Sequence, residues 1–261
     1  MYVKFTKMQG TGNDFVMIDQ FSLDKFELSQ KQIHYICDRK FGVGADGLII
    51  LRDHPEADFE MIYYNSDGNL SSMCGNGARC IVRLAYDHRY IEEETKFIAP
   101  DGLHHATIDA DKVYLGMSDV ADYASANDIF ILDTGSPHYV TFVNDVDALS
   151  VKERGAEIRY SPPYSEQGIN VNFIELISED SFKVRTYERG VEDETLSCGT
   201  GVTAAAIAAC LKSTNDIKHW KVKAKGGDLE VSFVQNGSSF NNIKLIGPAE
   251  NVFEGKILLE I

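Results

Sequence analysis

The chain has 261 residues and a formal charge of −15, from 25 Lys+Arg against 40 Asp+Glu. That balance excludes a basic footprint for nucleic acid or for an anionic membrane surface. With 44% apolar and 25% charged residues it reads as a folded protein of one large or two smaller domains, not a disordered chain. No segment approaches the ~20 apolar residues that span a bilayer. The first ten residues lack the apolar core of a secretion signal. The five cysteines (Cys37, Cys74, Cys80, Cys198 and Cys210) are odd in number and widely spaced. The expectation is reduced thiols in a cytoplasm, not a disulfide framework.

In chain order, a turn at Gly12 leads to a short strand at 15–18. The apolar run 47–51 reads as a buried strand, and 61–64 alternates before a polar loop. Cys74-Gly75-Asn76-Gly77 then opens a helix at 78–86, with Ile81, Leu84, Ala85 and His88 at helical spacing. Strands follow at 103–108 and 113–117, and residues 119–129 lack periodicity. The same succession then returns. A turn at Gly135 leads to a strand at 139–143. Residues 146–163 show no period. Strands are expected at 172–177 and 184–187, and Cys198-Gly199-Thr200-Gly201 opens a helix at 202–211. That helix is nearly all small or apolar, which predicts burial on every side. Strands at 229–234 and 243–246 close the half, and the Asn236-Gly237 pair between them signals a hairpin.

The two halves repeat at nearly constant offset. Gly12 matches Gly135, and Phe59 to Asn65 match Phe182 to Glu188, both at 123 residues. Cys74 matches Cys198 at 124, and Gly102 matches Gly227 at 125. Four ordered matches argue for duplication of an α/β unit of about 120–130 residues.

A cysteine just before a helix N-terminus lies at the positive end of the backbone dipole, which favours its thiolate. The glycines after it let backbone N–H groups approach an anion. Each Cys-Gly-x-Gly is therefore a thiol plus an anion cradle. A pseudo-two-fold axis would bring the two loops face to face. Two thiols on opposite sides of one carboxylate-bearing carbon suit inversion: one removes the α-proton and the other returns a proton. Helix N-termini would hold the carboxylate and stabilise the developing carbanion. This chemistry requires no cofactor. The sequence has no dinucleotide fingerprint, no P-loop, and no lysine in a context that suggests a pyridoxal Schiff base.

The chain resembles the diaminopimelate epimerases over nearly its whole length. The resemblance rests on Gly10-Thr11-Gly12-Asn13-Asp14-Phe15, Asn65-Ser66-Asp67-Gly68, Met73-Cys74-Gly75-Asn76-Gly77-Ala78-Arg79-Cys80, Gly135-Ser136-Pro137-His138, Tyr187-Glu188-Arg189-Gly190 and Glu194-Thr195-Leu196-Ser197-Cys198-Gly199-Thr200-Gly201. The related proline racemases carry Cys-Gly-His where this chain has Cys74-Gly75-Asn76. The resemblance implies conversion of LL-2,6-diaminopimelate to the meso form without pyridoxal, in lysine and peptidoglycan precursor synthesis. It implies that Cys74 and Cys198 are the acid/base pair. Cys74 would be partnered by His138 and Cys198 by Glu188, each partner exchanging a proton with its thiol. It further implies substrate contacts from Asn13, Asn65, Asn76, Asn170, Glu188 and Arg189, and from the backbone of Gly75, Asn76, Gly199 and Thr200. Arg189 offers a fork for the far carboxylate.

The implied fold is α/β (α+β), with two pseudo-symmetric domains, each a curved, mostly antiparallel sheet around a central helix. The domains are 1–117 with 250–261, and 118–249, with the site in the cleft between them and the last strand, at 255–261, returning to the first. The only partner implied is the small-molecule substrate, and the family admits a homodimer. Three positions depart from the family pattern. Ser136 stands where many members have Asn, which predicts a water bridge to the substrate. Gly47 stands where some have Gln. The stretch 190–195 is one residue longer than in some relatives, which predicts a loop adjustment. Cys37, Cys80 and Cys210 read as packing residues. No Cys/His cluster has zinc-site spacing, so no metal is expected. Asp14 is expected to cap or turn the loop after Asn13. Competing readings are an amino-acid racemase of the proline type, a thiol redox or metal-binding protein, and a non-catalytic amino-acid binder.

Overall fold

The computed structural model describes residues 1–21, 25–213, 215 and 217–259. The chain divides into two compact units, Met1–Leu115 with Pro248–Ile261, and Gly116–Gly247. In the first unit, β1 (Tyr2–Gly10), β2 (Asn13–Gln20), α1 (Gln30–Cys37), β3 (Gly47–His54) and β4 (Ala57–Asn65) precede the helix α2 (Gly75–Asp87). Three strands follow: β5 (Glu94–Ala99), β6 (Gly102–Asp109) and β7 (Lys112–Gly116). The second unit holds β8 (Tyr123–Ala126), β9 (Ile129–Asp133), β10 (Pro137–Phe142), α3 (Val151–Arg159), β11 (Asn170–Ser178), β12 (Ser181–Glu188) and β13 (Asp193–Thr195). Its long helix α4 (Gly199–Lys212) leads into β14 (His219–Ala224), β15 (Gly227–Asn236) and β16 (Ser239–Pro248). The strand β17 (Glu250–Leu258) pairs with β1 in the first unit. It starts earlier than the returning strand read from the sequence, whose residues 260 and 261 lie outside the described residues.

The first unit's sheet runs β17-β1-β2-β3-β4-β5-β6-β7, antiparallel except at β2–β3 and β4–β5. The second runs β8-β9-β10-β11-β12-β14-β15-β16, antiparallel except at β10–β11 and β12–β14. The succession of strand senses is the same in both. Each long helix is followed by three strands, not two. The first of each trio, β5 and β14, alternates exposed and buried residues: Thr95, Phe97 and Ala99 point inward in one, Trp220 and Val222 in the other.

The inner face of each sheet curves around the long helix. α2 touches β1, β2, β3 and β6, and α4 touches β9, β10, β11, β12, β14 and β15. A helix buried on every side, as α4 is over most of its length, leaves no solvent-facing side for polar side chains. Residues 201–210 of α4 are all buried, and the core around them joins Val202 and Ile207 to Phe182, Trp220, Leu229, Phe240 and Leu245. Alanines dominate because the surrounding strands come too close for larger groups. In α2 the apolar spacing holds at Ile81, Leu84 and Ala85, whereas His88 is the exposed C-cap residue and bonds Asp19.

The outer faces carry the short helices. Leu48 and Ile50 pack with Ile33 and Ile36 of α1, and Val171 and Phe173 with Val151 of α3. Residues 47–51 and 170–174 are thus buried on both faces, which is why they read as continuous runs. The segment 146–163 is not irregular, because it contains α3. That helix hides from periodicity because only Val151 and Gly155 are buried. Gly155 is required there, since a Cβ would stand 2.3 Å from Cβ of Tyr187. Residues 119–129 likewise contain β8.

Overpacking the enclosed helix tests this account. Ala205→Leu is expected to cost about 1–3 kcal/mol. Urea unfolding should show a lower midpoint with an unchanged slope, and an unchanged midpoint would refute the enclosure.

Candidate active site

Cys74 and Cys198 are the N-cap residues of α2 and α4. Their backbones match, at φ −121°, ψ 119° and φ −119°, ψ 109°, and neither side chain caps its helix. The first intrahelical bonds are made by Ala78 and Val202 to the cysteine carbonyls, both at 2.8 Å. Gly75 and Asn76, like Gly199 and Thr200, therefore occupy the turn whose N–H groups have no intrahelical acceptor. Positive potential gathers there, beside a sulfur atom.

In the first unit, Cys74 Sγ donates to Asn13 Oδ1 at 3.6 Å, and Asn76 Nδ2 donates to the same oxygen at 3.4 Å. Asn13 is oriented from its other end, where Nδ2 donates to Asp46 at 2.6 Å. Asn13 and Asp14 open β2; they do not lie in the preceding loop. Asp14 neither caps nor turns the chain. It bonds Lys7 at 2.6 Å and Arg39 through both oxygens, at 2.7 and 3.0 Å. Arg39 continues to Asp46 at 2.7 Å, so the ion network holds the group that holds Asn13. Burial pushes the Asp14 carboxyl upward, but the bonds and charges of Arg39 and Lys7 outweigh it and hold the group well below the carboxylate range.

Arg79 is fully buried one turn into α2. Its guanidinium reaches the carbonyls of Gly75 (3.4 Å) and Pro248 (3.3 Å), and donates to Thr11 Oγ1 and Asn76 Oδ1, both at 3.1 Å. It has no carboxylate partner among the described residues. Burial disfavours its charge, and the nearby sulfurs of Cys80 and Cys74 favour it. At the matching place in α4 stands Thr203, whose hydroxyl bonds the Gly199 carbonyl at 3.0 Å. Asn65 sits exposed at the end of β4. Gly47 has no room for a side chain, because a Cβ would stand 2.6 Å from the ring of Tyr63.

In the second unit, Cys198 is buried with Sγ 3.5 Å from Thr200 Oγ1, and Thr134 Oγ1 anchors the Thr200 carbonyl at 2.8 Å. His138, on β10, is completely buried. Its Nδ1 meets Asn172 Nδ2 at 3.0 Å, and its Nε2 has no hydrogen-bond partner among the described residues. Burial, with the charge of Arg189, pushes its pKa down to about 3, so the ring is neutral at physiological pH. Asn170 uses its whole amide: Oδ1 accepts from Arg189 N–H at 2.8 Å, and Nδ2 donates to Ser136 Oγ (2.9 Å) and the Pro137 carbonyl (3.2 Å). Arg189 donates to Ser136 Oγ at 3.4 Å and to the Gln167 carbonyl at 3.0 Å. Ser136 is thus held by Asn170 and Arg189. Glu188 ends β12, half-buried. The longer stretch after it closes on Glu192, which adopts φ 57° and accepts from Gly190 N–H, Tyr187 and Tyr160.

Cys37 and Cys80 have thiol pKa values pushed up to about 12 by burial, so both stay protonated, and Cys210 is buried in the α4 core. No group of three His, Cys, Asp or Glu able to hold a metal occurs among the described residues. No helix there is long and apolar enough to cross a membrane. The sequence reading missed Arg79, Asp46, Asn172 and Thr186 as site-building residues.

The Asp14 network gives a pH-dependent test. A carboxylate with a depressed folded pKa contributes stability that is full above its unfolded pKa, near 4, and is lost as pH falls below it. Asp14→Asn should cost about 2 kcal/mol at pH 7. The difference from the unmutated chain in urea unfolding should shrink from pH 5 to pH 3. A constant difference would show that the charge is not the cause.

A sequence model of the diaminopimelate epimerase family matches residues 5–120 and 130–252. The diaminopimelate epimerase of Flavobacterium psychrophilum is 50% identical over 260 residues, covering 98% of this chain and 100% of that protein. That of Chlorobaculum tepidum is 40% identical, covering 97% and 100%. Among solved structures, a PhzF-family phenazine biosynthesis protein of Bacillus anthracis superposes with a TM-score of 0.76 at 14% identity, covering 99% and 100%. A probable proline racemase from Agrobacterium radiobacter K84 superposes with a TM-score of 0.67 at 15% identity, covering 99% and 93%. At such identity these two share the fold alone. With matching N-cap cysteines on two alike helix starts, and a family match over nearly the whole length, the chain belongs to the diaminopimelate epimerase family.

Proposed function

We propose that the chain converts LL-2,6-diaminopimelate to the meso form without a cofactor, with Cys74 and Cys198 as the acid/base pair. The observation that carries this reading is the equivalence of the two thiols. Each stands at the N-cap of a helix wrapped by its unit's sheet, with nearly the same backbone and with two glycines in the next three residues. One thiolate takes the α-proton from one face, and the other thiol returns a proton to the opposite face. The reading needs the reacting carbon in a cleft between the domains 1–117 with 250–261 and 118–249.

The backbone N–H groups of Gly75, Asn76, Gly199 and Thr200 hold the reacting carboxylate, and the negative charge that builds during proton removal falls on this same donor set. His138 and Glu188 partner the thiols. Arg189 takes the far carboxylate, supported by Asn170 and Ser136. Asn13, Asn65 and Asn76 supply uncharged donors and acceptors for the zwitterionic ends. A site that reads both ends rejects amino acids lacking the second, because its polar groups would be left unpaired. This chemistry suits a reduced, cytoplasmic enzyme of lysine and peptidoglycan precursor synthesis, acting as a homodimer.

The test is incubation with LL-diaminopimelate in D₂O under reducing conditions, with α-proton loss followed by NMR beside chiral analysis. Exchange with meso product is expected. Cys74→Ala and Cys198→Ala should each lower epimerisation by about 10²–10⁴-fold while leaving the circular dichroism unchanged. No exchange would remove the reading for this substrate. Exchange on proline instead would favour the racemase alternative.

A further inference from the structure

Three polar side chains lie side by side on the inner face of the second sheet, beneath the start of α4. They are His138 on β10, Asn172 on β11 and Thr186 on β12, exposed by 0%, 0% and 4%. Asn172 joins the other two. Its Oδ1 accepts from Thr186 Oγ1 at 2.9 Å, and its Nδ2 donates both to the Tyr139 carbonyl at 3.1 Å and to His138 Nδ1 at 3.0 Å. The Tyr139 carbonyl fixes the amide's direction. A carbonyl only accepts, so an amide turned by 180° would set two acceptors against each other. Asn172 also abuts Gly201, where a Cβ would stand 2.4 Å from Oδ1. The amide is wedged between the helix start and the strands.

The first unit shows what the fold itself asks for here. By the repeat offsets, His138, Asn172, Thr186 and Gly201 match Phe15, Ile49, Tyr63 and Gly77. The strand registers agree: Asn172 opposes Thr186 as Ile49 opposes Tyr63, and His138 opposes Asn170 as Phe15 opposes Gly47. In that unit the place under the helix is filled by the Phe15 and Tyr63 rings, with centroids 5.9 Å apart, and by Ile49 against Gly77. Packing is thus met by two aromatic rings and an isoleucine. A buried polar trio in the same place carries a desolvation cost that packing does not require.

We propose that Asn172, held by Thr186 and the Tyr139 carbonyl, is a positioning residue that locks His138 in the tautomer with its proton on Nε2. An N–H from Asn172 occupies the lone pair of Nδ1, so that nitrogen takes no proton without losing the bond. Nε2 already carries one. His138 therefore acts as a neutral hydrogen-bond donor to its partner thiolate, stabilising S⁻, and does not accept the thiol's proton. Under this proposal His138 takes no part in the proton exchange that the resemblance implies for it. It deepens the proposed function, and rests on His138 serving a catalytic thiol.

The test is a nitrogen-15 spectrum of histidine-labelled enzyme at neutral pH, without substrate. The His138 ring is identified by the signals lost in His138→Phe, the residue that the first unit carries at this place. A protonated Nε2 with a bare Nδ1 is expected. A proton on Nδ1, or a doubly protonated ring, would overturn the proposal. Asn172→Asp places an acceptor against Nδ1 and should move the proton there, lowering kcat about tenfold or more with KM within about threefold. A moved proton with kcat unchanged would overturn the role. Should that variant not fold, Thr186→Val removes the donor to Asn172 Oδ1 and should give a mixed ring signal with a lower kcat. An unchanged ring and an unchanged kcat would again overturn the role. Because the spectrum is read without substrate, a failure to epimerise diaminopimelate would sink the functional reading and leave the tautomer result standing.

Discussion

The rest of this structure depends on wrapping one sheet around a helix in each unit. Over residues 201–210 of α4 enclosure leaves no solvent-facing side, so that stretch is built of small and apolar residues, with Thr203 turning its hydroxyl back to the Gly199 carbonyl. The same enclosure turns the helix ends into the places where polarity concentrates. At the N-terminus the backbone offers donors without acceptors, and their potential cannot be dissipated along a solvated flank. A cysteine placed there sits beside the strongest positive potential that an uncharged backbone provides. Two glycines in the next three positions let the first turn press against the strands and keep it open toward a ligand.

Both units use this frame, and they furnish it differently. Under α2 the strand face is filled by Phe15, Tyr63 and Ile49, and the buried charge lies within the helix, where Arg79 reaches the Gly75 carbonyl and the Asn76 amide. Under α4 the strand face is polar, and the helix carries only Thr203 at the matching place. One frame therefore yields two unlike thiol environments. The surroundings of Cys74 are set by a guanidinium and by the Asn13–Asn76 pair, whose orientation traces back through Asp46 to Arg39 and Asp14. In the second unit Cys198 lies instead beside the Thr200 hydroxyl, and Thr134 anchors the Thr200 carbonyl. An inversion at carbon treats two faces of one centre, and unlike thiol surroundings fit a substrate whose two faces are not equivalent.

Much of this is legible in the sequence. The repeat offset revealed the duplication, because duplicated units keep the spacing of glycine turns and strand ends. The long helices declared themselves through Cys-Gly-x-Gly and the runs behind them. What stayed hidden had physical causes. α3 shows no period because its contact with the sheet is made by Gly155, which contributes no hydrophobic signal. α1 had a signal in Ser29 and Gln32, a reciprocal cap, but only eight residues behind it. β5 and β14 alternate cleanly, yet lysines and a histidine on their outer face mask the short apolar set. Asn172 had a signal as well: it is polar where the other half has Ile49.

By itself the sequence determined the duplicated α/β plan, the two N-cap thiols and the family, since each follows from residue type and spacing along one chain. Tertiary structure alone decided how side chains far apart in sequence orient one another. Asp14 leaves its neighbour Asn13 to meet Lys7 and Arg39, Ser136 is claimed by Asn170 and Arg189, and Asn172 turns its amide toward His138 because a carbonyl two strands from Thr186 leaves no other choice. A hydrogen bond depends on the direction of both partners. That direction is fixed by strand register and by the helix packed above, neither of which is written at any single position of the chain.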